Sequence, residues 1–196
     1  MNQSEVLKEF EQTQAILRGH FILSSGLHSD TYMQCARVLS EPKRAEKLCA
    51  ALANKIRKEL PNESFDMVFS PAMGGVIVGY EMGRQLGIPA IFCERVDGNF
   101  SIRRGFEIKK GTRILVVEDV VTTGKSSLEA IKCAEDAGGK IVAEACLINR
   151  SGTDQPIKNF KLIALAKIEV QTFPASEIPE SLKNVPAIKP GSRWLK

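Results

Sequence analysis

The chain has 196 residues, of which 43% are hydrophobic and 26% are charged, and its formal net charge is +4. This length and composition predict one globular domain with a substantial core and exclude a disordered chain. The mild, dispersed positive charge suits anionic small molecules and does not predict nucleic-acid binding. No stretch has the length and apolarity of a membrane span, and the polar start MNQSEVLKEF is not typical of a signal peptide.

The five cysteines are scattered along the chain without paired or zinc-type spacing. They predict reduced core thiols in a cytoplasmic protein rather than a disulfide framework. Their positions are Cys35, Cys49, Cys93, Cys133 and Cys146.

The N-terminal region predicts a helix followed by a hairpin. The helix is predicted over residues 4–18 as a loosely amphipathic segment, and Gly19 ends it. The hairpin has short apolar strands at 21–23 and 31–33 and a turn at Ser24, Ser25 and Gly26, and it is expected to be separate from the main sheet.

His28 follows the turn of this hairpin. It is interpreted as a surface residue, because nothing near it in the sequence offers a metal partner.

A helix, strand, turn, helix and strand follow in the next part of the chain. Glu41-Pro42 begins a helix that continues to residue 60, and a strand is expected at 66–70. The turn PAMGG leads into a helix over 76–86, and the next buried strand is predicted at 88–93. A glycine-containing turn between strand and helix is compatible with either a phosphate-type site or a structural turn.

The segment that follows this strand is long, polar and basic. Asp97-Gly98 predicts a hairpin turn. The segment is interpreted either as a solvated hairpin or as a mobile lid that excludes water and adds positive charge. Its basic residues are Arg95, Arg103, Arg104, Lys109 and Lys110.

The most informative motif is ILVVEDVVTTGKSS, which runs from Ile114 to Ser127. Four apolar residues predict a strand buried on both faces, and a helical pattern begins after the serines. The free N–H groups of the turn and the helix N-terminus suit a phosphate. Glu118 and Asp119 suit sugar hydroxyls or a metal ion. A ribose 5-phosphate carries both kinds of group.

Two other interpretations fit this motif less well. An ATP-binding P-loop requires a glycine five positions before the Gly-Lys pair, but Asp119 occupies that position. A purely structural turn with a solvated acid pair is disfavoured, because two acids, two threonines and GKSS rarely share one turn of a parallel unit by chance.

The C-terminal part adds two strands and one candidate ligand residue. Strands are predicted at 141–148 and 162–168, and Arg150 follows the first of them at the edge where ligands of parallel sheets gather. An arginine there is suited to bind a carboxylate with two hydrogen bonds. Arg193 and Trp194 in the tail are interpreted as packing residues.

The motif resembles the phosphoribosyl pyrophosphate (PRPP) motif of the type I phosphoribosyltransferases. Other segments narrow the resemblance to the orotate phosphoribosyltransferases, and together they span nearly the whole chain in order. These segments are GHFILSSGLHSDTYMQ, FSPAMGGVIVGYEMGRQLG, RRGFEIKKG, LINRSG and PAIKPGSRW.

The resemblance implies an α/β, doubly wound, mainly parallel sheet with a small N-terminal hood, within a single domain. The hood would comprise about residues 1–38 and a flexible catalytic loop about residues 95–109. The implied reaction transfers the 5-phosphoribosyl group of PRPP to orotate, in the biosynthesis of UMP. The implied cofactor is Mg²⁺, and the implied assembly is a cytoplasmic homodimer with shared active sites, without a nucleic-acid or membrane partner.

The resemblance also assigns roles to individual residues. Arg95, Glu118 and Asp119 match catalytic positions, and Mg²⁺ would be held mainly by PRPP with the two acids as candidate ligands. The phosphate cradle would be Val120, Val121, Thr122, Thr123, Gly124, Lys125 and Ser126, and Arg95 would steady the pyrophosphate from the partner chain. Orotate would contact Thr122, Arg150, Tyr32 and Met33.

The sequence departs from the family pattern at two positions where a lysine is usual. Gly74 lies in the expected pyrophosphate loop, so contacts there must come from backbone N–H groups. Asn99 lies near the hairpin tip, so Arg103 and Arg104 are the candidates to supply charge.

The alternatives to this function are a purine phosphoribosyltransferase and a non-catalytic regulator that senses PRPP.

Overall fold

The computed structural model describes residues 1–23, 25–157 and 160–190, so Ser24 of the predicted turn and the tail residues Arg193 and Trp194 lie outside the described residues. The strands are β1 (Ile16–Ile22), β2 (His28–Met33), β3 (Met67–Pro71), β4 (Ala90–Val96), β5 (Asn99–Ile102), β6 (Arg113–Val121), β7 (Lys140–Asn149), β8 (Leu162–Lys167) and β9 (Thr172–Phe173). The α-helices are α1 (Gln3–Gln12), α2 (Cys35–Leu39), α3 (Pro42–Glu59), α4 (Gly74–Leu86), α5 (Lys125–Asp136) and α6 (Glu180–Lys183).

A six-stranded sheet of order β5-β4-β3-β6-β7-β8 forms the centre of the molecule. All neighbouring strands in it are parallel except β4 and β5, which form an antiparallel pair at one edge. Leu115 and Val117 of β6 face a core built with α1 to α4, whereas Ile114 and Val116 face a core built with α5. Helices therefore cover both faces, and the predicted doubly wound α/β fold is confirmed.

β6 has the burial that the sequence predicted for it. Residues Ile114 to Val117 are fully buried, which is expected of a central strand with helices on both faces. The strand then continues as far as Val121, so Glu118 and Asp119 lie within β6, just before its last two residues. Since β3, β4, β6 and β7 are parallel, their carboxyl ends share one edge of the sheet.

The predicted helix over residues 4–18 is wrong beyond residue 12. The Thr13 hydroxyl bonds back to the carbonyl oxygens of Glu9 and Phe10, and Gln14 adopts a left-handed φ of 53°, which ends α1. Residues 16–22 then pair with β2. The long-range pairing of a strand overrides a weak helical pattern at this point.

The hairpin of β1 and β2 belongs to a separate sheet of order β1-β2-β9, as predicted, although its strands are longer. The C-terminal segment completes this sheet on both sides. Phe173 pairs with His28, while the N–H of Ile188 donates to the carbonyl oxygen of His20 and the N–H of Ile22 donates to that of Ile188. From here on we use the name hood for β1, β2 and β9, a different set of residues from the predicted hood at about 1–38.

His28 is not the isolated surface residue that the sequence suggested. Its Nδ1 lies 2.6 Å from Nε2 of His20, and Nδ1 of His20 lies 2.9 Å from the carbonyl oxygen of Val185. This chain of polar contacts links the hairpin to the C-terminal segment across a long stretch of sequence.

The basic segment after β4 begins as an ordered hairpin. Val96 pairs with Asn99 across a two-residue turn in which Asp97 and Gly98 have φ angles of 49° and 86°. Two left-handed residues are typical of a tight hairpin turn, so the predicted Asp-Gly turn is confirmed. Residues 103–112 are irregular. Mobility of this segment stays a prediction.

Within the described ranges 1–23, 25–157 and 160–190, no helix is both long and apolar enough to cross a membrane.

Candidate active site

The site is built at the carboxyl edge of the central sheet, where Glu118 and Asp119 lie near the end of β6. Glu118 faces the α5 side and is only 7% exposed, whereas Asp119 is half-buried. Carboxylates at such depth require positively charged or hydrogen-bond-donating partners. The edge therefore combines two buried or half-buried carboxylates, which need such partners, with the phosphate-type turn that follows them.

Asp119 is held in place by three neighbours. Its Oδ1 accepts a hydrogen bond of 2.9 Å from the N–H of Val120, and the thiol of Cys35 is close enough to lower the pKa of the carboxyl. A Cβ built on Gly74 would lie 2.8 Å from each Asp119 oxygen. Burial raises the pKa of Asp119, although the bond from Val120 and the nearby thiol of Cys35 oppose that shift.

Glu118 lies in a more unfavourable environment for a negative charge. Burial raises its pKa well above the usual value, and the charges of Asp119 and Glu144 raise it further. The hydroxyl of Ser127 and the positive charge of Arg95 lower the pKa of Glu118 and so favour its ionised form. A ligand that brings hydroxyl donors or a cation to Glu118 would relieve this cost.

Glu144 is a buried acid behind Glu118 that sequence reasoning missed. It pairs with Val116 across β6 and β7, which places its side chain on the same face of the sheet as Glu118. It is 0% exposed, and neither carboxylate oxygen has a hydrogen-bond partner among the described residues. Burial raises its pKa to about 7, and the nearby Ser127 hydroxyl opposes that shift. No sequence signal distinguished Glu144 from a solvated strand residue.

The predicted phosphate cradle is the loop from Val120 to Ser126. Gly124 has a left-handed φ of 74°, and a Cβ built on it would lie 3.0 Å from the Ile157 side chain. α5 begins at the next residue, so Lys125 and Ser126 form its first turn. Thr122 and Thr123 are exposed, and the N-cap residue of α5, Gly124, has no side chain to bond the helix N–H groups. Only the N–H of Lys125 makes a long contact, 3.4 Å, with the Thr123 hydroxyl among the described residues of this turn. Free N–H groups at a helix start, beside two exposed hydroxyls, form a suitable anion site.

The second strand-to-helix loop, residues 71–75, lies directly beside Asp119. The N–H of Ala72 donates to the carbonyl oxygen of Cys93 at 2.7 Å, and α4 begins at Gly74. Because the Asp119 carboxylate fills the space of a Cβ at residue 74, only glycine fits there without displacing it. A residue with a Cβ at position 74 would therefore have to shift the Asp119 carboxylate.

Replacing Gly74 with alanine is therefore expected to push the Asp119 carboxylate out of position. Misplacement of a binding group by about 1 Å costs roughly 10- to 100-fold in efficiency, so we expect a loss of that size in kcat/KM for PRPP. Steady-state kinetics at varied PRPP concentrations would measure it, with circular dichroism to check the fold. An unchanged kcat/KM would show that Asp119 does not need this position.

The hood brings an aromatic ring to the same edge. Burial raises the pKa of Tyr32, Cys35 and Asp119 raise it further, and the positive charge of Arg150 lowers it, so all four groups are close. The ring of Tyr32 also lies 5.8 Å from that of Phe21. A flat base would find an aromatic wall here.

Met33 does not share this orientation. It is 5% exposed and packs into the core with α1 to α4, because successive side chains of a strand point to opposite faces. Any contact of Met33 with a base can come only from its backbone, whereas Tyr32 remains a candidate through its ring.

Arg150 follows β7 and is anchored by its backbone. Its N–H donates to the carbonyl oxygen of Val121 at 2.8 Å, and Asn149 organises the turn by accepting from the N–H and the hydroxyl of Ser151. Burial lowers the pKa of Arg150, while Tyr32 and Cys35 oppose that shift. The half-buried guanidinium is thus available to an anionic ligand at the sheet edge.

Arg95 lies on the edge hairpin, and its charge is close enough to Glu118 to lower the pKa of that acid. Its guanidinium contacts Glu129 of α5 in an ion pair. Sequence reasoning missed Glu129 and Cys35, because each reaches the site through a contact between distant elements.

Comparison with known proteins agrees with this geometry. The model of the phosphoribosyl transferase domain matches residues 38–178. The chain is 50% identical over 195 residues to the orotate phosphoribosyltransferase of Maricaulis maris, covering 100% of both chains. It is 52% identical over 193 residues to the orotate phosphoribosyltransferase of Erythrobacter litoralis, covering 98% of this chain and 99% of that protein.

Solved structures show the same fold. The orotate phosphoribosyltransferase from Aeropyrum pernix superposes with a TM-score of 0.68 at 24% identity, covering 83% of this chain and 93% of that one. The Leishmania donovani UMP synthase gives a TM-score of 0.68 at 23% identity, covering 84% of this chain and 36% of that one. The resemblance stated from the motifs is confirmed, and the chain belongs to the orotate phosphoribosyltransferase family.

Proposed function

We propose that this chain transfers the 5-phosphoribosyl group of PRPP to orotate, giving orotidine 5′-phosphate and pyrophosphate, as a step of UMP biosynthesis. The observation that carries the proposal is the convergence of Tyr32, Arg150 and Asp119 on one edge, beside the turn that carries the exposed Thr122 and Thr123. A guanidinium and an aromatic ring next to a sugar-phosphate site suit a planar base with a carboxylate.

In the proposed reaction, a ring N–H of orotate loses its proton to the departing pyrophosphate or to solvent. The nitrogen bonds to C1 of the ribose, and the bond from C1 to pyrophosphate breaks. Glu118 and Asp119 accept hydrogen bonds from the ribose hydroxyls and favour positive charge developing on the ring. The loop 120–126 holds the 5-phosphate through its N–H groups, and Arg150 with Thr122 orients orotate. Arg95 neutralises charge on the departing pyrophosphate. Positioning and charge stabilisation carry the rate, and no protein nucleophile takes part.

Mg²⁺ is part of this proposal. In the described residues no group of three or more histidine, cysteine or acidic side chains could hold a metal ion. The two available carboxylates, Glu118 and Asp119, fit a hard cation whose remaining ligands are oxygens of PRPP. When bound, the ion would neutralise charge on the pyrophosphate and orient it.

The test is to mix the protein with Mg²⁺, PRPP and orotate and to follow the loss of orotate absorbance. We expect turnover with orotate, release of pyrophosphate, and no turnover with adenine, guanine or hypoxanthine. Turnover with a purine base would assign the chain to the purine alternative. Binding of PRPP without pyrophosphate release would indicate a regulator.

The same proposal includes a homodimer in the cytoplasm. Met73, Ile77 and Tyr80 are 81%, 46% and 70% exposed, and their spacing of four and three residues puts them on one side of α4 and the loop before it. An exposed apolar stripe next to the pyrophosphate loop suits a second copy of the chain, which would place the two sites close together. The described cysteines are free thiols, which suits a reducing compartment.

Replacing Tyr80 with glutamate is expected to weaken this dimer, because a charge would have to be buried among apolar groups. Loss of an aromatic anchor costs about 2 kcal/mol, or roughly 30-fold in the dissociation constant. Analytical ultracentrifugation over a concentration series would measure the change. Lys132→Glu, on an exposed surface of α5, is the control, and equal behaviour of both variants would contradict the assigned interface.

A further inference from the structure

Arg95 is held by three contacts on its own chain. Its Nη1 donates to the carbonyl oxygen of Gly98 at 2.7 Å, and its guanidinium carbon lies 4.1 Å from the centre of the Phe100 ring. Its Nη2 pairs with the carboxylate of Glu129. Two of these partners belong to the hairpin that carries Arg95, since Arg95 pairs with Phe100 across β4 and β5. Glu129 is the one contact of the three that comes from another element.

Glu129 lies on α5 one turn after Lys125, the first residue of that helix. It also forms a longer ion pair, 3.9 Å, with Lys125. The loop that would cradle the 5-phosphate leads directly into α5, so Glu129 connects the hairpin of Arg95 to the phosphate side of the site.

We propose that Glu129 is a positioning residue that holds Arg95 in a resting position and competes with pyrophosphate for its guanidinium. The inference rests on the proposed role of Arg95 in pyrophosphate binding. To touch pyrophosphate, the side chain must exchange a carboxylate partner for a phosphate one, because both bind the same planar N–H donors. The strength of the Glu129 contact therefore determines how easily the Arg95 side chain moves to pyrophosphate.

The competition must be weak enough to be reversed by substrate. The side chains of Arg95 and Glu129 are 30% and 33% exposed, so the ion pair is partly solvated and is screened by salt. Pairs of this kind shift equilibria by roughly two- to fivefold. A triply or doubly charged pyrophosphate group with Mg²⁺ offers a stronger partner, and the arginine would transfer when the site fills.

The experiment compares Glu129→Gln with Glu135→Gln in the full-length chain. Glu135 is an exposed glutamate on the same helix, so its replacement removes the same charge without touching Arg95. For Glu129→Gln we expect the KM for PRPP and the inhibition constant of pyrophosphate to fall about two- to fivefold, with the KM for orotate unchanged. At high salt this advantage should disappear. Glu135→Gln should leave all three values at those of the parent.

A second pair of variants separates Arg95 from Lys125, which also loses its partner in Glu129→Gln. In an Arg95→Gln background, the replacement of Glu129 should no longer change the KM for PRPP. If it still lowers that KM, Lys125 is responsible and the inference is overturned.

Two further outcomes would overturn the inference, and they are distinguishable. If Arg95→Gln raises the KM for PRPP but Glu129→Gln behaves like Glu135→Gln, the competition is absent although Arg95 keeps its role. If Arg95→Gln leaves the KM for PRPP unchanged, the proposed role of Arg95 fails and the inference fails with it. A merely structural role of Glu129 would instead raise the KM for PRPP and orotate together and reduce thermal stability.

Discussion

Replacement of Arg150 with alanine is expected to raise the KM for orotate roughly 30-fold or more, because removing one partner of a desolvated charge pair costs about 2–5 kcal/mol. The guanidinium is half-buried next to Tyr32, and burial already lowers its pKa, so water cannot fully replace it as a partner for the orotate carboxylate. The KM for PRPP should change little, since the loop 120–126 and the acids do not depend on Arg150. Steady-state kinetics with each substrate varied in turn would measure both values.

Two other variants sharpen this test. Arg150→Lys keeps the charge but loses the planar pair of donors, so we expect an intermediate KM for orotate. Arg113→Ala removes an arginine at the first residue of β6, at the opposite end of the strand from the site, and should leave the KM for orotate unchanged. Unchanged orotate kinetics in Arg150→Ala would refute the assignment of Arg150 to the base.

Replacement of Glu144 with glutamine is expected to change how the stability of the protein depends on pH. Burial raises the pKa of Glu144 from 4.5 to about 7. Below pH 4.5 the acid is protonated in both the folded and the unfolded chain, so the shift has no effect there. Between pH 4.5 and pH 7 the unfolded chain loses this proton while the folded chain keeps it, so the folded state becomes less stable as the pH rises. Above pH 7 the loss amounts to about 3 kcal/mol. Glutamine cannot ionise and escapes this loss.

The free energy of unfolding of Glu144→Gln, taken relative to the parent, should therefore rise by up to about 3 kcal/mol between pH 4 and pH 8. Urea unfolding at several pH values would measure this difference. Glu107→Gln is the control, since Glu107 is exposed and its replacement should give a nearly constant difference. A pH-independent difference for Glu144→Gln would show that folding does not raise the pKa of Glu144, and would refute this prediction.

The sequence alone predicted the features that depend on neighbours in the chain. The apolar run 114–117 predicted a strand buried on both faces, and the structure confirms it. The Asp97-Gly98 turn, the start of α3 at Pro42 and the end of α4 at Gly87 follow from local backbone preferences, and all three are confirmed. The order of motifs along the chain was enough to indicate the family, because each motif is itself a local pattern.

The tertiary structure alone decided which distant residues meet. β1 replaced the end of a predicted helix because residues 16–22 find their hydrogen-bond partners in β2, and the C-terminal segment completes the hood from more than a hundred residues away. The contacts of Asp119 with Cys35 and of Arg95 with Glu129, and the burial of Glu144 behind Glu118, have no local signature. Local preferences determine strands, turns and helices, whereas the charges and contacts of a site depend on how those elements pack.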